Sequence, residues 1–136
     1  MNTQATGFAT SQQAETAFYH AFSGCDTESM TALWAQDEVI CVHPGSTAIH
    51  GHDAVVRSWG YIFSGAEPPD IQVRLVSAIS NETLAVHVVE EHISTGGASS
   101  AVLLATNVYR RYDTGWLMVE HHGSVVHAQS EAHTVQ

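Results

Sequence analysis

Residues 101–112, AVLLATNVYRRY, are followed by Asp113-Thr114-Gly115 and then by residues 116–127, WLMVEHHGSVVH. Apolar and β-branched side chains fill both runs, and a short Gly-containing connection suits a tight antiparallel hairpin. Two long neighbouring strands are therefore predicted. Working back, Gly96-Gly97 reads as a second hairpin loop that joins a β-branched run over residues 83–94 to residue 101 onward. Before that, Ile71, Val73 and Leu75 alternate with Gln72 and Arg74, as in a half-buried strand, and Asn81-Glu82 turns the chain.

The first half has a different period. Ala14, Ala17, Phe18, Ala21 and Phe22 recur at helical spacing; Thr10 or Ser11 can cap that helix, Glu15 suits its first turn, and Gly24 ends it. Thr27 can cap a second, short helix carrying Met30, Leu33 and Trp34 on one face. Residues 38–42, EVICV, read as a strand that closes at His43-Pro44-Gly45. A third helix should follow Gly51, with Val55, Trp59, Ile62 and Phe63 sharing a face until Gly65 and Pro68-Pro69 stop it. Helices first and hairpin-linked strands second define an α+β domain with an antiparallel sheet. The expected organisation is a flexible leader over 1–10, one domain over 11–127 and a flexible tail over 128–136.

Composition narrows the partners. The 136 residues hold fourteen carboxylates, four arginines and no lysine, for a formal charge of -10. Such a surface repels nucleic acid and anionic lipid, so neither is expected as a partner. Cys25 and Cys41 are too few for a disulfide framework. The first ten residues lack a basic residue and an apolar run, so no standard secretory signal is expected. No stretch nears membrane-spanning length, and the expected location is cytoplasmic.

Three strings carry a resemblance. Val39-Ile40-Cys41-Val42-His43-Pro44-Gly45 followed by Ile49-His50-Gly51-His52-Asp53, then residues 105–111 (ATNVYRR), then residues 115–124 (GWLMVEHHGS) resemble the nuclear transport factor 2-like superfamily. They are most similar to its SnoaL-like branch and to the association domain of calcium/calmodulin-dependent kinase II. The resemblance implies a cone-shaped α+β barrel (cystatin-like), with three N-terminal helices packed in a curved sheet and a pocket at the open end. It also implies which residues face that pocket: Ala105, Asn107 and Tyr109; Val119, His121 and Gly123; and Val88, Glu90 and His92, with His87, Val89 and Glu91 outside.

On that basis Glu90 and His121 are the expected catalytic pair, Glu90 as base and His121 as its partner, with Tyr109 or Asn107 polarising an oxygen. His43, Trp59, His92, Asn107 and Tyr109 are the expected ligand-binding residues. The expected ligand is a small, fairly apolar, neutral or cationic molecule, because the kinase-association branch has arginines at the positions of Glu90 and Asn107. Isomerisation, cyclisation or dehydration fits such a site. The histidines and glutamates at 87–92 and 121–122 include enough donors for zinc, but no spacing is a zinc signature, and neither metal nor cofactor is expected. Val102, Leu104, Thr106, Val108 and Val89 should form an apolar outer face, where relatives commonly dimerise. The alternative is therefore a non-catalytic homo-oligomerisation module.

Overall fold

The Thr10 hydroxyl accepts the backbone N–H of Gln13 at 3.0 Å and so starts α1 (Ser11–Ser23). The computed structural model describes the backbone of residues 6–65, 67–96 and 100–129, and the side chains of these through residue 126. Gly97, residues 1–5 of the expected leader and the expected tail from residue 130 lie outside the described residues.

Asp26, rather than Thr27, caps α2 (Thr27–Leu33), its carboxylate accepting Ser29 N–H at 3.1 Å. β1 (Ile40–Val42) and β2 (Ala48–His50) form a small hairpin around the Pro44 turn, and α3 (His52–Ser64) follows Gly51 as expected. Four long strands complete the chain: β3 (Asp70–Ser80), β4 (Leu84–Ser94), β5 (Ser100–Tyr112) and β6 (Gly115–Gln129). Phe8, in the stretch expected as leader, bridges Trp116 through two backbone hydrogen bonds. That contact is close: a Cβ on Gly115, whose φ is +123°, would sit 2.7 Å from the Phe8 carbonyl oxygen.

The six strands form one sheet in the order β2-β1-β6-β5-β4-β3. All pairings are antiparallel except β1 with β6, which run parallel with Cys41 opposite His121. The sequence pattern gave no sign of that parallel contact. Irregular register between Leu75 and Ser77, Val102 and Leu103, and Val108 and Tyr109 marks bulges. Bulges bend strands and increase their twist, which wraps the sheet around the helices.

The core lies between that concave face and the helices. Phe18 from α1, Leu33 from α2 with Trp34 just after it, and Val55 and Trp59 from α3 are buried with Val89, Ala105, Tyr109, Leu117 and Met118 of the sheet. Strand parity on β5 and β6 agrees with the expectation: Ala105, Asn107, Tyr109, Val119, His121 and Gly123 are all buried. On β4 the expectation is reversed. Ala85, His87, Val89 and Glu91 are buried, while Val86, Val88, Glu90 and His92 face out. Val89 is thus a core residue and no part of the outer face.

Candidate functional site

Along α1, Ser11, Glu15 and Tyr19 recur every four residues and form a polar stripe beside the apolar one. That spacing puts all three on one helix face, aimed at the sheet. Glu15 lies beyond the first turn and does not serve the helix dipole; it turns inward instead. Each side chain on the stripe finds a partner on β4 or β5.

At the N-terminal end, Ser11 Oγ lies 3.1 Å from His87 Nε2, and His87 Nδ1 is 3.2 Å from Glu15 Oε2, poorly aligned for a hydrogen bond. Glu15 Oε2 also accepts from Tyr109 Oη at 2.9 Å and from Asn107 Nδ2 at 3.2 Å. Asn107 Nδ2 donates again to Tyr19 Oη at 3.0 Å, and Tyr19 in turn donates to Glu91. Because a carboxylate oxygen only accepts, the amide nitrogen of Asn107 must face Glu15. Its Oδ1 is then the acceptor for His121 Nδ1, 2.6 Å away.

This fixes the tautomer of His121. Nδ1 carries the hydrogen, and Nε2 presents a lone pair with no hydrogen-bond partner among the described residues. Burial, with the neighbouring His43 and His122 adding to it, pushes the imidazole down to about 3, so it is neutral at ordinary pH. The ring is held between Phe18, at 4.9 Å between centroids, and Trp59, at 5.7 Å. Gly123 leaves room beside Nε2: a Cβ there would stand 3.6 Å from that atom.

Glu91 is the opposite case. It is 1 % exposed and has no cationic partner among the described residues. Burial raises its carboxyl, the Tyr19 hydroxyl pulls it back, and the charge of Glu15 pushes it further up. Tyr19 and Tyr109 are both raised above the ordinary phenol range, chiefly by burial, so their hydroxyls stay protonated donors. Across the sheet Glu91 pairs with Val73 of β3 and Leu103 of β5. The Val73 side is open, with 39 % of that residue exposed.

Of the expected site residues, the structure brings Asn107, Tyr109 and His121 together and leaves two outside. Glu90 lies on the outer face, where Arg74 donates to it at 2.8 and 3.2 Å, and His92 Nε2 stands 3.0 Å away. The reason is the Arg74–Glu90 register across β3 and β4: a charged pair stays hydrated outside, and the next carboxyl, Glu91, takes the inner place beside a phenol donor. Trp59 is buried, and its indole N–H has no hydrogen-bond partner among the described residues; burial pushes the neighbouring Cys41 thiol up to about 12. His43 packs edge-on to Trp59 at 4.8 Å and contacts Ser58 Oγ at 2.9 Å. Read from sequence, Tyr19 is a helix residue able to reach the pocket; Glu15 is missed although it shares the i, i+4 polar stripe on α1, and His87 and Glu91 are placed outside by the reversed parity of β4.

This arrangement, a curled sheet around three helices with polar groups inside, is the nuclear transport factor 2-like architecture. Residues 12–128 match the SnoaL-like domain, and the chain belongs to that family. It is similar to a crystal structure of a candidate calcium/calmodulin-dependent protein kinase type II association domain from Thiobacillus denitrificans. That likeness is 37% identical with a TM-score of 0.84, over 88% of this chain and 98% of the other. A candidate dehydratase of the nuclear transport factor 2-like family from Streptomyces avermitilis is 30% identical, with a TM-score of 0.80 over 86% and 94%. The F-box protein SKIP8 of Arabidopsis thaliana is 28% identical over 112 residues, 82% of this chain but 47% of that protein. Among the described residues no helix is long and apolar enough to cross a membrane.

Proposed function

We propose that the domain binds a small, largely apolar, neutral or cationic molecule in its cone. There Glu91 and His121 act on it as an acid–base pair in a dehydration or isomerisation. The observation that carries this reading is Glu91 itself: a buried carboxyl with no cation beside it among the described residues, linked through Tyr19 and Asn107 to a neutral imidazole. Burying such a group costs stability and brings no ion pair in return. Perturbed groups of this kind cluster where chemistry needs them. Glu91 takes the role first expected of Glu90, and His121 keeps its own. A second, uncompensated negative charge would be repelled there, which favours a neutral or cationic ligand. The likeness to a candidate dehydratase points the same way.

The test is turnover of a panel of β-hydroxy ketones and β,γ-unsaturated ketones, followed by proton NMR. Glu91→Gln and His121→Ala are each expected to lower kcat at least a hundredfold, the usual scale for an acid–base residue. Turnover untouched in both variants would sink the assignment.

A second reading is favoured by one observation. Ile79 of β3 and Leu104 of β5, whose cross-strand partners Val86 and Glu90 lie on the outer face of β4, are exposed large apolar side chains. Association of two copies through the sheet would cover such a surface. Sedimentation equilibrium is expected to give a dimer for the natural chain and a monomer for Leu104→Glu. A natural chain that is monomeric throughout would count against the assembly role.

A further inference from the structure

Three of the four arginines are engaged. Arg74 pairs with Glu90 at 2.8 Å, Arg110 with Asp37 at 3.4 Å, and Arg111 donates to the Glu82 carbonyl at 3.5 Å. Arg57, on α3, has no hydrogen bond or ion pair among the described residues. In a chain with fourteen carboxylates and four arginines, a guanidinium left without a carboxylate is out of balance with its surroundings.

Arg57 stands on the wall of an open groove of about 530 Å³ between the turn after β1 and α3, with His43, Ser46, Ser58, Tyr61 and Ile62. Among the described residues, none that lines this groove is acidic. On its other side Arg57 also borders a groove of about 630 Å³, and that one includes Asp53. The two sides of the helix are therefore electrostatically different, and only the first suits an anion.

The donors on that side can be counted. Ser58 Oγ–H is spent on the Val55 carbonyl at 2.6 Å, so Ser58 accepts from His43 Nε2–H, and the two form a neutral wall. What remains is the guanidinium of Arg57, with the hydroxyls of Ser46 and Tyr61. Ser46, Arg57 and Tyr61 are all exposed, so a solute can reach them. Ile62 and the ring of Tyr61 give the groove apolar surface beside those donors.

We propose that this groove is a second binding site, separate from the cone, for a small organic carboxylate. Arg57 grips the carboxylate through two parallel N–H bonds, a geometry that its planar fork matches and a lysine does not. Tyr61 and Ser46 add donors, and the apolar body lies along Ile62 and the Tyr61 ring. This inference does not rest on the acid–base reading of the cone.

Benzoate, benzamide and inorganic phosphate are titrated separately into the full chain and followed by amide NMR. Benzoate is expected to bind saturably, with the largest shifts at Ser46, Arg57, Ser58 and Tyr61. Arg57→Gln is expected to weaken it about tenfold or more, a loss of about 1.4 kcal/mol. Arg57→Lys should recover only part of the loss, and Tyr61→Ala should also weaken binding. Glu91→Gln should leave benzoate binding unchanged, which separates failure here from failure of the cone assignment. Absence of saturable binding, or equal affinity in Arg57→Gln, would overturn the proposal. So would benzamide or phosphate binding as tightly as benzoate.

Discussion

Lowering the pH from 7 to 4 is expected to remove roughly 3 kcal/mol of folding stability at His121 alone, at about 1.4 kcal/mol per unit of separation between folded and unfolded values. The imidazole sits near 3 in the folded chain against an ordinary value of 6.5. The unfolded chain therefore takes the proton first. Stability from this group is whole above the ordinary value and drains away as pH falls toward the folded one. His43, also depressed by burial, adds to the loss. Glu91 works in the other direction, because its carboxyl is raised: acidification through that value relieves a cost that is present at neutral pH. Against a typical total of about 5–15 kcal/mol, the net loss should be plain in urea unfolding at pH 7, 5.5 and 4. His121→Gln, which cannot ionise, should flatten the curve. A natural chain as stable at pH 4 as at pH 7 would mean that the folded state admits a charged His121.

Trp59→Ala is the substitution expected to cost most, about 3–5 kcal/mol, the range for deleting a buried aromatic. The indole is 1 % exposed and joins five rings: Phe22 at 4.9 Å, Phe18 at 5.5 Å, Phe63 at 5.7 Å, His43 at 4.8 Å and His121 at 5.7 Å. No neighbour is placed to fill the hole, because these rings are already locked against one another. Trp59→Phe, which keeps an aromatic ring there, should cost clearly less. Thermal unfolding of the two variants checks the order; equal costs would show that the indole's second ring packs against nothing of consequence.

Much of the fold was legible because the periodicities are strong. The α1 stripe of Ala14, Phe18 and Ala21 and the alternation through Ala105, Asn107 and Tyr109 each matched one secondary structure and one face. β4 was different. Its two faces, Ala85-His87-Val89-Glu91 and Val86-Val88-Glu90-His92, have nearly the same mixture of apolar, imidazole and carboxyl groups. A one-residue change of parity exchanges them with little change in pattern, so composition could not choose. The choice is made by contacts distant in sequence: Tyr19 reaching Glu91 from 72 residues away, and Arg74 holding Glu90 outside. The parallel contact of β1 with β6 was hidden for the same reason, since a three-residue strand carries little pattern of its own.

That parallel contact also sets an order of events during synthesis. Strands β3 to β6 pair with their neighbours in sequence and can zip up as successive hairpins. The hairpin of β1 and β2 can join the sheet only through β6, the strand of this domain that is made last. Trp34 likewise finds its bridge partner only in Met118. The helical half of the domain, made before the sheet, must wait with Phe18, Leu33 and Trp34 uncovered until β6 has been made, and chaperone capture has its opening in that interval.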